Sequence, residues 1–496
     1  MRQAKTRSGL SRRRTEAGRA LAFSIAALTL FATAAAAQVV ALEQAVGAAA
    51  VSSPTVLRED ATVQRATGQL QQARGAFDWN AQAESGWERL YVPEARNGFL
   101  STDTQIVDAW RTTLGVGKLF RNGVSVQPGV TFFSDVNASV GQTLGLTQTR
   151  PVLNLTVPLL RGFGTDNAAA SNERAAASAL EGSRLGRSFA EQRAVFETAA
   201  VFWRCLAARQ QLELLGGRQS VADAEVETLR AQVQSGQAEP TALDRTVANQ
   251  AVQQSAVGAA ASADQLCRRD LAQSMGLPAD SVPTAVVGEF PDVEAMTDQI
   301  GRLNGAALAD AAITRRQDLQ ALSRYDTAQA ERLRGARDGL QPRVDVSLDP
   351  SRVMLRLSQS LGRDTAEGQV AEALAAESEA RLNRQQLERQ IRRDVEEQLA
   401  NLRLASTAVS ALTRSAALLS AVVADAERRF QAGVITQADY RATQAELTQA
   451  QRQVIDARLQ FASSLAGLRL ATGTIEAGQG APAARVAALF RTLPGS

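Results

Sequence analysis

The chain has 496 residues, with 54 basic and 51 acidic side chains and no histidine, and its only lysines are Lys5 and Lys118. Catalysis by an imidazole or an amine, and a His-bound metal, are thereby largely excluded. Residues 1–37 hold seven basic residues and one acidic residue, so without them the formal +3 becomes about −3 (3 − 6) and nucleic acid is not implied as a partner.

The first element in chain order reads as a cleavable export signal over residues 1–37. Arg12, Arg13, Arg14 and Arg19 precede an apolar run at 21–31, and Ala35-Ala36-Ala37 forms a small-residue cleavage site before Gln38. The alternative is an uncleaved anchor, but the run is shorter than the roughly 20 residues a helix needs to cross a bilayer. Gln38 rather than Cys follows the site, so no lipid anchor is expected and membrane insertion of the mature chain has to use strands.

The mature chain repeats itself. Gly236 and Gly276 are matched by Gly433 and Gly473 at an offset of 197 residues (433 − 236), and Arg184, Leu185 and Arg187 fall on Arg381, Leu382 and Arg384 at the same offset. The expected organisation is a first repeat over 38–276, a linker over 277–305, a second repeat over 306–473 and a C-terminal tail over 474–496. In the first repeat the pattern predicts a short helix near 41–75, strands within about 77–160, a long helix near 167–234 and a return helix near 241–275. The second predicts helices near 307–337, 366–432 and 436–472, with strands within about 343–361. The linker, rich in Pro, Gly, Asp and Val, has no clear period. It and the tail are expected to pack outside the helices or to be partly mobile.

At about 1.5 Å per residue the long helices reach about 100 Å and the short ones about 50 Å, so two short helices end to end equal one long helix. Each repeat then supplies two parallel columns, one continuous and one stacked. On the first long helix Leu185, Phe189, Phe196, Ala199, Trp203 and Leu206 keep one heptad seam, and Val195, Thr198, Phe202, Cys205 and Leu212 mark a second. Two seams suit a stave in a hollow cylinder, although a helix buried in a solid bundle would share the pattern. Four columns about 9.5 Å apart close on a circle about 12 Å across with no bore, whereas twelve give about 36 Å between axes. A pore would need three copies.

Candidate strands in the first repeat are 77–88, 112–120, 124–133 and 152–160. The second offers 343–348 and 353–361, joined at Asp349-Pro350-Ser351. Four or six strands per chain remain open. Trp79, Trp87, Tyr91 and Trp110, with Phe99, sit where strand-end aromatics would form the girdle of an outer-membrane barrel; hydrophobic packing beneath an ordinary sheet is the alternative. Either count leaves edges that other subunits would complete.

Two segments carry a resemblance. Val157-Pro158-Leu159-Leu160-Arg161-Gly162-Phe163-Gly164 is similar to the segment leaving the barrel in the TolC-type outer-membrane efflux family, and Arg429-Phe430-Gln431-Ala432-Gly433, followed by Thr436 and Asp439, is similar to that family's periplasmic helical turn. The resemblance implies a mainly α fold with a transmembrane β-barrel portion. Long antiparallel coiled-coil helices would form a trimeric α-barrel tunnel continuous with a 12-stranded outer-membrane barrel. It further implies a homotrimer in outer-membrane lipid, engaged by a periplasmic adaptor and an inner-membrane pump, and serving as the passive exit duct of a tripartite efflux or type I secretion system. No cofactor and no enzymatic activity are expected, since no P-loop, metal cluster or nucleophile–base arrangement stands out. One departure is Ala442, where the family often carries a second Asp three residues after the first. A soluble periplasmic coiled-coil adaptor or scaffold is the competing reading.

The turns at Gly236 and Gly433 are the expected tunnel tips. Thr436-x-x-Asp439 and Thr241-x-x-Asp244 both resemble capping boxes, a structural role. The functional reading places Asp439 in a threefold ring at the narrow end, where close carboxylates would repel one another, raise their pKa and attract cations. Arg429 is either an exposed charge or a latch to a neighbouring helix. Cys205 and Cys267 lie 31 residues either side of Gly236, so antiparallel helices would bring them level, either as a disulfide or as small packing side chains.

Overall fold

The computed structural model describes residues 39–96, 99–137, 147–278, 280–476 and 482–494. The expected signal at 1–37 lies outside these residues, as does the side chain of Phe99. Ten helices among the described residues dominate. In chain order they are α1 (Leu42–Ser52), α2 (Pro54–Gly75), α3 (Ala168–Gln234), α4 (Pro240–Ser274), α5 (Glu294–Arg302), α6 (Gly305–Arg315), α7 (Gln317–Asp338), α8 (Asp364–Gln431), α9 (Gln437–Ala471) and α10 (Ala483–Leu489). At 67 and 68 residues, α3 and α8 are each about 100 Å long.

The single helices expected at 41–75 and 307–337 are each divided. Ser53 takes an extended conformation between α1 and α2, its hydroxyl accepts from the Val56 amide at 3.3 Å, and Pro54 opens α2 with no amide to satisfy. Arg316 makes the equivalent break between α6 and α7 without a proline, bonding Asp318 through two guanidinium nitrogens at 2.5 and 3.0 Å. Both breaks receive the end of a return helix. A Cβ on Gly276 (φ +73) would lie 1.9 Å from the Ser52 carbonyl oxygen, and one on Gly473 (φ +64) would lie 3.2 Å from the Arg316 side chain. Left-handed glycines therefore end α4 and α9 where the next helix begins.

Packing gives the columns an order. Toward its C-terminal end α3 lies between α4 and α9, and toward its N-terminal end it lies between α2 and α7; α8 packs on both α7 and α9. The row is thus α2 with α4, then α3, then α7 with α9, then α8. On α3, Val195, Thr198, Ala199, Phe202, Trp203, Cys205 and Leu206 are all buried, whereas Leu185, Phe189, Phe196 and Leu212 are half-buried.

Described residues of both the linker and the tail pack against the helices. Within the linker β6 (Ala285–Val286) pairs in parallel with β1 (Val39–Val40), and Met296 and Ile300 of α5 enter the cluster around Ile391, Val395 and Leu402 of α8. In the tail, Phe490 meets the Trp203 ring edge-on at 5.5 Å. Buried Arg469 donates to the Thr492 carbonyl at 2.8 Å and hydroxyl at 2.7 Å, and burial lowers its pKa to about 10, which still leaves it charged at neutral pH.

The remaining strands form one six-stranded antiparallel sheet, ordered β2 (Asn80–Arg96), β3 (Phe99–Leu119), β4 (Ser125–Asn137), β5 (Thr147–Pro158), β7 (Arg343–Asp349) and β8 (Arg352–Ser358). It is open at β2 and β8. The first four strands run beyond the predicted segments at their distal ends, while β8 stops at Ser358 rather than 361. The β7–β8 turn falls at Asp349-Pro350-Ser351, where the Asp349 carboxylate accepts from the Ser351 amide at 2.7 Å.

Candidate functional site

The sheet has two chemically distinct faces, which follow from period-two alternation carried through the register. On one face Ala81, Ala83 and Trp87 stand opposite Val116, Leu114 and Trp110, and these continue through Val126, Val130 and Phe132 to Leu153 and Leu155. Beyond them lie Val344, Val346 and Leu348 and then Leu357, Leu355 and Val353. The other face carries Gln82, Glu84, Glu88, Arg111, Thr113, Gln127, Thr131, Asn154, Arg343, Asp345, Arg352 and Arg356. Trp79, Trp87 and Trp110 are 60%, 52% and 56% exposed and Tyr91 is exposed as well, so none packs beneath the sheet. Two of these rings, Trp79 and Trp87, have a cation beside them. Lys118 Nζ lies 5.1 Å from the Trp79 ring and 5.7 Å from the Phe120 ring, while Arg89, paired with Asp108 at 2.7 Å, lies 5.2 Å from the Trp87 ring.

Sheet and helices are clamped together at a polar junction. Arg121, in the β3–β4 turn, binds Glu173 of α3 through two nitrogens at 2.6 and 2.8 Å, and Arg74 of α2 approaches the same carboxylate at 3.5 Å. The Arg121 hydrogen bonds hold the Glu173 pKa below the usual carboxylate value against the opposing effect of burial. The Asp338 carboxylate, at the end of α7, accepts from the Gly162 amide at 2.9 and 3.0 Å. The turns beneath the sheet meet closely: a Cβ on Gly123 (φ +88) would lie 1.8 Å from the Gly162 carbonyl oxygen, so both conformation and space demand glycine there.

At the opposite end of the long helices Gly236 and Gly433 share φ +73, the left-handed conformation that closes each hairpin. Thr436 and Asp439 form a reciprocal capping box. The Thr436 hydroxyl accepts from the Asp439 amide at 3.2 Å, and the Asp439 carboxylate accepts from the Thr436 amide at 3.1 Å and hydroxyl at 2.6 Å. Within one chain these bonds hold the Asp439 pKa below its usual value. Thr241 and Asp244 do not form a second box. Pro240 opens α4 at the first helical position and moves the cap back to Glu239, which makes no capping bond, so Thr241 is already inside the helix. Arg429 is exposed.

The cross-hairpin contacts near this end were not legible in the sequence. Arg441 of α9 donates to Glu225 of α3 at 2.8 Å and to the Thr246 hydroxyl of α4 at 3.3 Å, and Arg218 of α3 donates to Gln444 of α9 at 2.9 Å. Only one local signal existed, the position of Arg441 two residues after Asp439. Further up the first hairpin, Cys205 and Cys267 are joined as a disulfide, with Cα atoms 5.3 Å apart and both residues buried. Among the described residues no group of acidic or cysteine side chains could hold a metal ion.

No known protein family matches the chain by sequence, and no curated protein does. Solved structures do match in fold. The Campylobacter jejuni CmeC outer membrane channel aligns with a TM-score of 0.63 at 13% identity over 92% of this chain and 90% of its own. The Vibrio cholerae outer membrane protein VceC aligns at 0.63 and 15% identity over 87% and 96%, and the open state of the Neisseria gonorrhoeae MtrE outer membrane channel at 0.62 and 14% over 87% and 88%. The long double hairpins beneath an open antiparallel sheet give this chain the fold of the TolC-type outer-membrane channels.

Proposed function

We propose that the protein is an outer-membrane exit duct of the TolC-type family, working as a homotrimer that conducts substrates passively across the periplasm and outer membrane. The observation that carries this reading is the sheet. Its two faces are both exposed, one apolar with aromatics at its margins and the other charged, which suits lipid on one side and water on the other. Trp79 and Trp87 are eight residues apart, about 26 Å along a strand and about 20 Å in height at a 40° tilt, close to the apolar band of an outer membrane.

The helices support the trimer. The α8 face turned to α7 and α9 carries Ile391, Val395, Leu402 and Val409; at 100° per residue Leu404 and Leu418 lie about 160–200° around from Leu402. They are 71% and 64% exposed, and the most apolar 18-residue stretch of α8 is hardly buried in the single chain. Two opposite seams belong to a stave with a neighbour on each side, and α8 is the last column of its row. The recurrence of helix lengths 11, 22 and 35 in both halves supports descent from two internal repeats. By fold analogy the hairpin turns at Gly236 and Gly433 would face a periplasmic adaptor and an inner-membrane pump, which supply the driving energy.

The test is fractionation and bilayer recording of the full-length protein. A duct gives a detergent-dependent, heat-modifiable trimer in the outer-membrane fraction and steady ion conductance. A salt-extractable soluble protein without conductance would instead identify a periplasmic scaffold.

A further inference from the structure

We infer that the trimer closes an eighteen-stranded barrel in which β8 of one copy pairs antiparallel with β2 of the next, Arg356 opposite Glu84 and Arg352 opposite Glu88. The inference rests on the trimeric reading above and deepens it by naming the joint between copies.

The edges match in direction and charge. β2 runs away from the helices and β8 runs back toward them, so the pairing is antiparallel. On the polar face β2 offers Glu84 and Glu88, and β8 offers Arg352 and Arg356, each pair four residues apart. Antiparallel pairing with Glu84 opposite Arg356 therefore places Glu88 opposite Arg352 automatically, with Gln82 opposite Ser358 and Gly86 opposite Met354. The same register leaves Val353, Leu355 and Leu357 on the apolar face beside Ala83, Ser85 and Trp87. Among the described residues neither Glu84 nor Arg356 has an ion-pair partner within the chain, although Glu88 is 2.7 Å from Arg111 and Arg352 is 3.2 Å from Asp349. Opposite charges directly across a strand pair are favourable.

The register also continues the stagger already present. Asn80, the helix-side end of β2, stands opposite Gly117, two residues in from the end of β3 at Leu119. Ser125 stands opposite Thr156, two in from Pro158, and Pro158 stands opposite Asp345, two in from Arg343. Ser358 opposite Gln82 repeats that two-residue step. Within one copy the steps sum to six residues, about 20 Å along the strands across about 24 Å of sheet, which is a tilt of about 40° and falls in the range of closed barrels.

Arc length closes the argument. Six strands about 4.8 Å apart at that tilt occupy about 38 Å of circumference, and four helical columns about 9.5 Å apart also occupy about 38 Å. Six strands per copy thus continue the helical wall without a step, and the barrel would measure about 36 Å between opposite strands; four strands at the same tilt would pinch it to about 24 Å.

The test is disulfide cross-linking in the assembled full-length protein. Glu84→Cys with Arg356→Cys should give covalent dimers and trimers on oxidation that vanish on reduction, whereas the off-register pair Gly86→Cys with Arg356→Cys should give several-fold less. The native cysteines bond each other within one chain and do not interfere. If the cysteine pair impairs assembly, charge reversal decides: Glu84→Arg and Arg356→Glu should each lower the temperature at which trimers dissociate, and the double reversal should restore it. Detergent-stable trimers with no cross-link, or with no restoration, would overturn this joint while leaving the duct intact. A wild-type protein that never forms trimers would overturn the duct itself.

Discussion

Thr436 and Glu239 each stand three residues after the glycine that closes a hairpin, and they differ in what they give the next helix. The Thr436 hydroxyl satisfies an amide of α9 and its own groups hold the Asp439 carboxylate, whereas Glu239 leaves the first turn of α4 to Pro240. Because Asp439 has a folded pKa below the ordinary 3.8, its contribution is fully present above the unfolded value and is lost as pH falls through the folded one. The Thr436 amide, held by the Asp439 carboxylate, and the Asp439 amide, held by the Thr436 hydroxyl, should therefore be protected from hydrogen exchange at neutral pH, after correction for intrinsic rates, and the Thr436 amide should lose that protection as the pH falls below about 3.8. Thr436→Ala should remove about 1 kcal/mol of local protection at neutral pH. Equal exchange in the variant and the parent would show that the cap holds nothing. The Thr-x-x-Asp spacing made this site legible, but the same spacing misled at Thr241, because a proline one residue earlier decides where a helix begins.

At the scale of elements, the long helices and their left-handed turns were readable because seams such as those between Leu185 and Leu212, in runs of more than 60 residues without a proline, leave little choice of structure. The short pieces were not. β1, β6, α5 and α10 are too brief to hold themselves together and exist through contacts such as Ile300 with the α8 cluster and Phe490 against Trp203. The first hairpin carries a lock that the second lacks, the Cys205–Cys267 bond across 62 residues of chain. Closing a loop of that length in the unfolded chain is worth about 4 kcal/mol on the chain-entropy account. The unreduced, denatured protein should show no free thiol, and Cys205→Ala with Cys267→Ala should unfold at a lower denaturant midpoint. Two free thiols would rule the bond out.

At the scale of the whole molecule, an open row of four columns and an open sheet share the same order and the same outer members, α2 with β2 at one side and α8 with β8 at the other. Exposed apolar side chains on α8 then need a cover that this chain does not supply. Leu404→Glu together with Leu418→Glu places two charges on that seam and should abolish the trimer, read by light scattering in detergent, while helix content by circular dichroism stays unchanged. A trimer of parental stability would show that the seam faces elsewhere.

The sequence by itself determined the long helices, the glycines that turn them and the alternation that makes one face of each strand apolar, since these depend on periodicity and turn chemistry within a few residues. Only the tertiary structure decided that six strands join one sheet, that Arg441 finds Glu225, and that Glu84 and Arg356 stand at opposite edges. Those outcomes depend on which distant segments meet, and a spacing along the chain carries no record of a partner two hundred residues away.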